Sequence, residues 1–123
     1  MEDVGKKSWA IAEGYIPSKS NGPEPDMTSH DTLCVLNCTE QVAKLTVWIY
    51  FEDKDPVGPY KLSVPAQRTK HFRFNELNDP AEIPRDTDYA SLITSDIPVV
   101  IQYTRLDSRQ AENAIFSTIP FYR

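Results

Sequence analysis

Ten prolines against four glycines constrain this chain of 123 residues more than any other feature of it. Proline fixes φ, donates no amide hydrogen bond and breaks a helix interior. Within sheets it is confined to edges, strand starts and bulges. Prolines spread from Pro17 to Pro120 therefore favour short strands and stiff turns over long helices. The hydrophobic pattern agrees. Leu45, Val47, Ile49 and Phe51 alternate with Lys44, Thr46, Trp48 and Tyr50, and no segment sustains a 3.6-residue period.

Alternation and turn chemistry predict eight strands: Ser8–Glu13, Asp31–Cys38, Val42–Phe51, Tyr60–Val64, Arg68–Phe74, Tyr89–Thr94, a run built on Ile97–Ile101, and Ala114–Ile119. Ser95-Asp96 reads as the hairpin turn between the sixth and seventh. Eight short strands with turn signals every eight to twelve residues make an all-β protein, an antiparallel β-sandwich in a single domain over residues 1–123. Its core is expected to hold Leu45, Val47, Ile49, Leu62, Val64, Phe72, Phe74, Val99 and Ile101. Residues 1–7 read as a flexible N-terminus. Residues 14–30, with Pro17, Pro23, Pro25 and Asn21-Gly22, read as a long loop. Residues 75–87 have room for one helical turn. Trp48 and Tyr50 are too large for an idle outer face, which points to cover from another subunit.

A net charge of −5 argues against a broad nucleic-acid surface, since phosphate binding needs a basic face. There is no signal-peptide pattern, and no run approaches the ~18 apolar residues of a membrane span. Cys34 and Cys38 lie four apart in an extended segment, roughly 13 Å, which is beyond disulfide reach. Both are expected to be reduced, in a cytoplasmic protein. Neither histidine, His30 or His71, has a partner at metal-ligand spacing, so no metal or cofactor is expected. No phosphate loop, nucleophile elbow or zinc-protease motif occurs, and a non-enzymatic protein is the expectation.

Three places carry candidate site chemistry. Arg105, Asp107 and Arg109 follow the most apolar run at two-residue spacing, on one strand face with Ile101 and Tyr103. Such a cluster is either a fold-locking ion network or the floor of a polar-ligand site. Glu13 shares an alternating face with Trp9 and Ile11, as the solvated end of an edge strand or as a ligand carboxylate beside an aromatic platform. His71 and Arg73 alternate against Phe72 and Phe74, as a solvated strand face or as a second site. Guanidiniums at Arg73, Arg105 and Arg109 suit acids, because their planar forks match carboxylates.

Long stretches of the chain resemble the Anabaena sensory rhodopsin transducer family. They are Trp9–Pro17, Ser20–Pro25, Pro56–Tyr60, Val64–Ala66, Arg68–Asn75, Leu77–Pro80 and, closest, Thr104–Ala114. The resemblance runs in order from about Ser8 to Thr118, and departs around Cys38–Lys44 and in the tail. It implies a small soluble β-sandwich that assembles as a homotetramer. It also implies a signalling or binding role with a carbohydrate-like small polar ligand, or transduction from a membrane photoreceptor without membrane insertion. DNA binding is a weaker possibility. Glu13, His71, Arg73, Arg105, Asp107, Ser108 and Arg109 fall within the matching words and carry polar chemistry. With Trp9 they are the candidate ligand-binding residues.

Overall fold

The computed structural model describes residues 4–110 and 112–123. Among them are eight β-strands: β1 (Lys6–Gly14), β2 (His30–Asn37), β3 (Ala43–Tyr50), β4 (Val57–Val64), β5 (Arg68–Arg73), β6 (Tyr89–Asp107), β7 (Ala114–Thr118) and β8 (Phe121–Tyr122). One 3-10 turn at Phe74–Glu76 follows β5. Every pairing between these strands is antiparallel. The all-β antiparallel architecture is therefore as the sequence predicts. No helix among the described residues is long and apolar enough to cross a membrane. Of the expected flexible N-terminus, residues 1–3 lie outside the described residues, and Lys6 and Lys7 open β1.

The expected hairpin at Ser95-Asp96 does not exist. Tyr89–Asp107 is one strand of 19 residues that organises both halves of the fold. Its first half pairs with β1 and β3, and its second with β2 and β7. The order β4-β3-β6-β1-β8 forms one layer, while β5, β2 and β7 join the far half of β6. The Ser-Asp-x-Pro chemistry that mimics a turn makes a kink instead. The β1 register slips between Lys6–Val99 and Ser8–Thr94, which leaves Ser95 to Pro98 out of that ladder. Pro98 has no amide hydrogen to contribute there. Asp96 accepts the Lys44 amide at 2.8 Å, tying the kink to β3. A bulge of this kind bends a strand without reversing it.

The two layers bury one shared core. Leu45, Val47, Ile49, Val64, Phe74, Val99 and Ile101 are fully or almost fully buried, and Leu62 and Phe72 pack against them half-buried. The expected last strand, Ala114–Ile119, is present as β7, and β8 follows it as an addition. Phe121 and Tyr122, read as a tail, pair with Ala10 and Trp9 of β1, and the Arg123 amide donates to the Ser8 carbonyl at 3.0 Å. The long loop is packed down as well. Ile16 is fully buried, and the Arg73 guanidinium donates to the Pro25 carbonyl at 3.0 Å.

Candidate functional site

Asp31 is the residue around which the polar chemistry assembles. It stands on the apolar face of β2, in period-2 step with Leu33 and Val35, and is fully buried. A carboxylate taken out of water needs partners at both oxygens. One oxygen accepts Arg105 Nε at 2.9 Å. The other accepts the Tyr89 hydroxyl at 2.6 Å and the Tyr15 amide at 3.0 Å. Gly14 makes the tyrosine contact possible. A Cβ on Gly14 would sit 2.5 Å from the Tyr89 ring, so only glycine lets that ring lie against β1 with its hydroxyl on Asp31.

Arg105 faces Asp31 across the β2–β6 ladder and Phe116 across the β6–β7 ladder. Its Nε edge turns inward to Asp31. Its outer edge meets Glu13 in a fork, with Nη1 to Oε1 at 3.1 Å and Nη2 to Oε2 at 2.6 Å. Nη2 also donates to the Tyr103 hydroxyl at 3.1 Å, and the guanidinium lies 5.7 Å from the Phe116 ring centre. One guanidinium thus bridges a buried and an exposed carboxylate. The Arg105 side chain is 15% exposed and that of Glu13 is 66% exposed.

These neighbours fix protonation. Burial works against the Arg105 charge, but the hydrogen bonds it donates to Asp31 and Glu13 outweigh it, so its pKa rises and it stays a cation. Burial, then the Asp31 charge, push Tyr89 and Tyr103 above the usual phenol range. Both remain hydroxyl donors at neutral pH.

The outer edge of Arg105 opens onto a cleft of about 890 Å³. Ala10 to Glu13 of β1, Ala90 to Leu92 and Tyr103 of β6, Phe116 and Thr118 of β7, and Pro120-Phe121 line it, with Tyr50 at the rim. The lining is mostly apolar. Ser91, on this lining, is buried and its hydroxyl has no hydrogen-bond partner among the described residues.

The candidate residues from the sequence divide among several places. Glu13 and Arg105 meet, and both line the cleft. Glu13 does not keep the Trp9 face: a register shift between Ile11 and Gly14 turns it outward. Trp9 is buried, with its ring 5.1 Å from that of Tyr122 and its indole donating to the Lys6 carbonyl. Asp107 and Arg109 pair with each other, at 2.6 Å from Nη2, and not with Arg105. That hydrogen bond holds the Asp107 carboxyl below its ordinary range. Arg109 also lies over the Tyr15 ring. Ser108 is buried, and its hydroxyl donates to the Met27 carbonyl and contacts Ser29 Oγ at 3.1 Å, clamping the long loop onto the end of β6. His71 and Arg73 pair across the ladder with Cys34 and Thr32, in register with alternate residues from Leu33 and Phe72. That places them on the face of this layer opposite the core. Burial raises the Cys34 thiol pKa, against a hydrogen bond from Thr104 that lowers it.

Sequence reasoning missed Asp31, Tyr89 and Phe116 as parts of the cluster. A signal for Asp31 was present: a carboxylate in step with Leu33 and Val35 on a strand's apolar face requires a buried partner. Nothing local marks Tyr89 or Phe116, which reach Arg105 and Asp31 only through the ladders of β6.

The comparisons with known proteins follow the whole chain. The sequence profile described as Anabaena sensory rhodopsin transducer matches residues 4–122. Among solved structures, the chain is similar to Anabaena sensory rhodopsin transducer, at 57% identity and a TM-score of 0.77. That match covers 86% of this chain and 100% of the other. It is also similar to a Thermotoga maritima protein of known crystal structure, at 29% identity and a TM-score of 0.86, over 97% of this chain and 96% of that one. Among curated proteins, none matches. Agreement in sequence across the length and in fold across the layers places this chain in the Anabaena sensory rhodopsin transducer family.

Proposed function

We propose that this protein is a non-enzymatic, cytoplasmic signalling and binding protein, and that its ligand is a small polar molecule, carbohydrate-like or acidic, held at the outer edge of Arg105. The observation that carries the reading is the division of labour on one side chain. The inner edge of the guanidinium is committed to buried Asp31, while the outer edge faces a cleft, where its one carboxylate partner, Glu13, is exposed. A site is best built on a group that the fold already immobilises. The cleft also has the size usual for small-molecule sites, about 300–1,000 Å³.

Thermal-shift screening of sugars, sugar acids and small carboxylates tests this. A ligand at a hundred times its dissociation constant adds about 2.7 kcal/mol to the folded state, a shift of several degrees for a domain of this size. At least one compound is expected to raise the melting temperature of the wild type and to lose that effect in Arg105→Lys, which keeps a charge near Asp31 but not the fork. A broad screen without hits, or hits unchanged in Arg105→Lys, refutes the site.

A second reading rests on the exposed apolar residues of the last ten. Ile115, Ile119 and Tyr122, which lie outside the cleft lining, are each half or more exposed, with Ile115 at 68%. Apolar surface this concentrated marks a contact surface. We assign it to assembly as a homotetramer, through which a membrane photoreceptor or another protein partner would be engaged without membrane insertion. The net charge of −5 per chain disfavours nucleic acid as that partner. Light scattering at micromolar concentration is expected to return four times the chain mass of 14.0 kDa, and a monomer mass ends this reading.

A further inference from the structure

Resting on the reading of Arg105 as a ligand anchor, we propose that the ligand is an apolar carboxylate, and that Glu13 is a built-in placeholder that leaves Arg105 when the acid arrives. Three observations support this. The Glu13 carboxylate makes the same two-point fork on Nη1 and Nη2 that a free carboxylate makes on arginine. It is the only one of Arg105's two carboxylate partners with somewhere to go: Asp31 is fully buried, whereas Glu13 is 66% exposed and enters water on release. A bulge immediately before Gly14 sets Glu13 in this position, and a bulge is a usual device for re-aiming a side chain.

The walls then select the body of the ligand. Beyond Glu13 and Arg105 the cleft presents Ala10, Ala12, Leu92, Phe116 and Phe121. These offer contact area to hydrocarbon, and the other polar groups on the lining are the hydroxyls of Tyr50, Ser91, Tyr103 and Thr118. A sugar would have to give up water at more hydroxyls than so apolar a lining can satisfy. An aliphatic or aromatic acid covers Phe116 and Phe121 and replaces one carboxylate by another, so the charge balance around Arg105 is unchanged. Of these hydroxyls, that of Ser91 is buried without a hydrogen-bond partner among the described residues.

Phenylacetate, isovalerate and octanoate are the probes, titrated into the full chain by calorimetry and by amide NMR shifts. Phenylacetamide serves as the neutral isostere, and glucose and glucuronate as the polar arm. At least one of the three acids is expected to bind, with shifts at Ala10 to Glu13 and Arg105, and phenylacetamide to bind more than tenfold more weakly than phenylacetate. Removing the placeholder charge in Glu13→Gln tightens the acid by about three- to fivefold, the scale of one exposed ion pair. Arg105→Lys weakens it more than tenfold. Shifts from glucose or glucuronate that vanish in Arg105→Lys, with none from the three acids, overturn this inference and leave the polar-ligand reading intact. An acid that binds equally to Glu13→Gln, or no more tightly than its amide, overturns the placeholder while keeping the cleft. Silence from every probe overturns the inference, and the broader screen above then decides the reading beneath it.

Discussion

Replacing Arg105 by methionine is expected to cost about 3–5 kcal/mol of folding stability, because it strands the Asp31 charge in the interior. The size follows from burial, not from the number of contacts. Asp31 is fully buried, and without Arg105 Nε its inner oxygen faces the core with no cation. The Tyr89 hydroxyl and Tyr15 amide still serve the other oxygen, so the chain is expected to fold, with a lower denaturation midpoint. Removing the exposed partner gives the contrast. Glu13→Ala breaks the shorter ion pair, 2.6 Å against 2.9 Å, yet is expected to cost no more than about 1 kcal/mol, because water replaces what it loses. Adding Asp31→Asn to Arg105→Met should recover much of the loss, since the buried charge is then gone. Urea titrations of the four proteins decide the matter. Equal costs for Arg105→Met and Glu13→Ala would mean that Asp31 is not the charge the network exists to hold.

This contrast also bears on the choice that the sequence left open. A guanidinium beside Asp107 and Arg109 could be a fold lock or the floor of a site. The structure separates the three: Asp107 and Arg109 close on each other at the surface, and Arg105 turns to Asp31 and Glu13. Strand periodicity placed the side chains on the right face but said nothing of cross-strand partners. Those partners depend on register, and register here depends on two bulges that single-strand alternation cannot show. One bulge turns Glu13 off the Trp9 face. The other, at Ser95–Pro98, makes one long strand where turn chemistry reads two short ones. The count of eight strands held only because a two-residue strand at Phe121–Tyr122 offset the lost hairpin. The core was legible for the opposite reason. Alternating apolar side chains in β3, β4 and the Val99–Ile101 run are buried by any antiparallel pairing that respects the pleat, whatever the connections.

The second large effect is expected at alkaline pH. Tyr89 and Tyr103 both have pKa values raised above the ordinary phenol range, by burial first and then by the Asp31 charge. In the unfolded chain each ionises near pH ~10. Above that pH the unfolded state has released two protons that the native state retains. The unfolded state then binds fewer protons, so stability falls as pH rises. The contribution of the raised values is whole below about pH 10 and is lost as pH climbs toward the folded values. Each proton that the native state retains and the unfolded state has lost contributes a slope of about 1.4 kcal/mol per pH unit. Tyr60 moves in the same direction through burial, opposed by its hydrogen bond to Ala81. The measurement is denaturant unfolding in steps from pH 8 to 11.5, with phenolate absorbance recorded on the native chain. Tyr89→Phe is the control: it removes one titrating group and leaves Asp31 its bonds from Arg105 and Tyr15, so the slope should fall by about 1.4 kcal/mol per pH unit. A flat stability profile across that range, or native phenolate signal from all tyrosines near pH ~10, would show that the fold keeps neither phenol protonated. A slope that halves in the variant would identify Tyr89 as one of two phenols that the fold keeps protonated, by burial first and then by the charge of Asp31, the residue that sequence alone passed over.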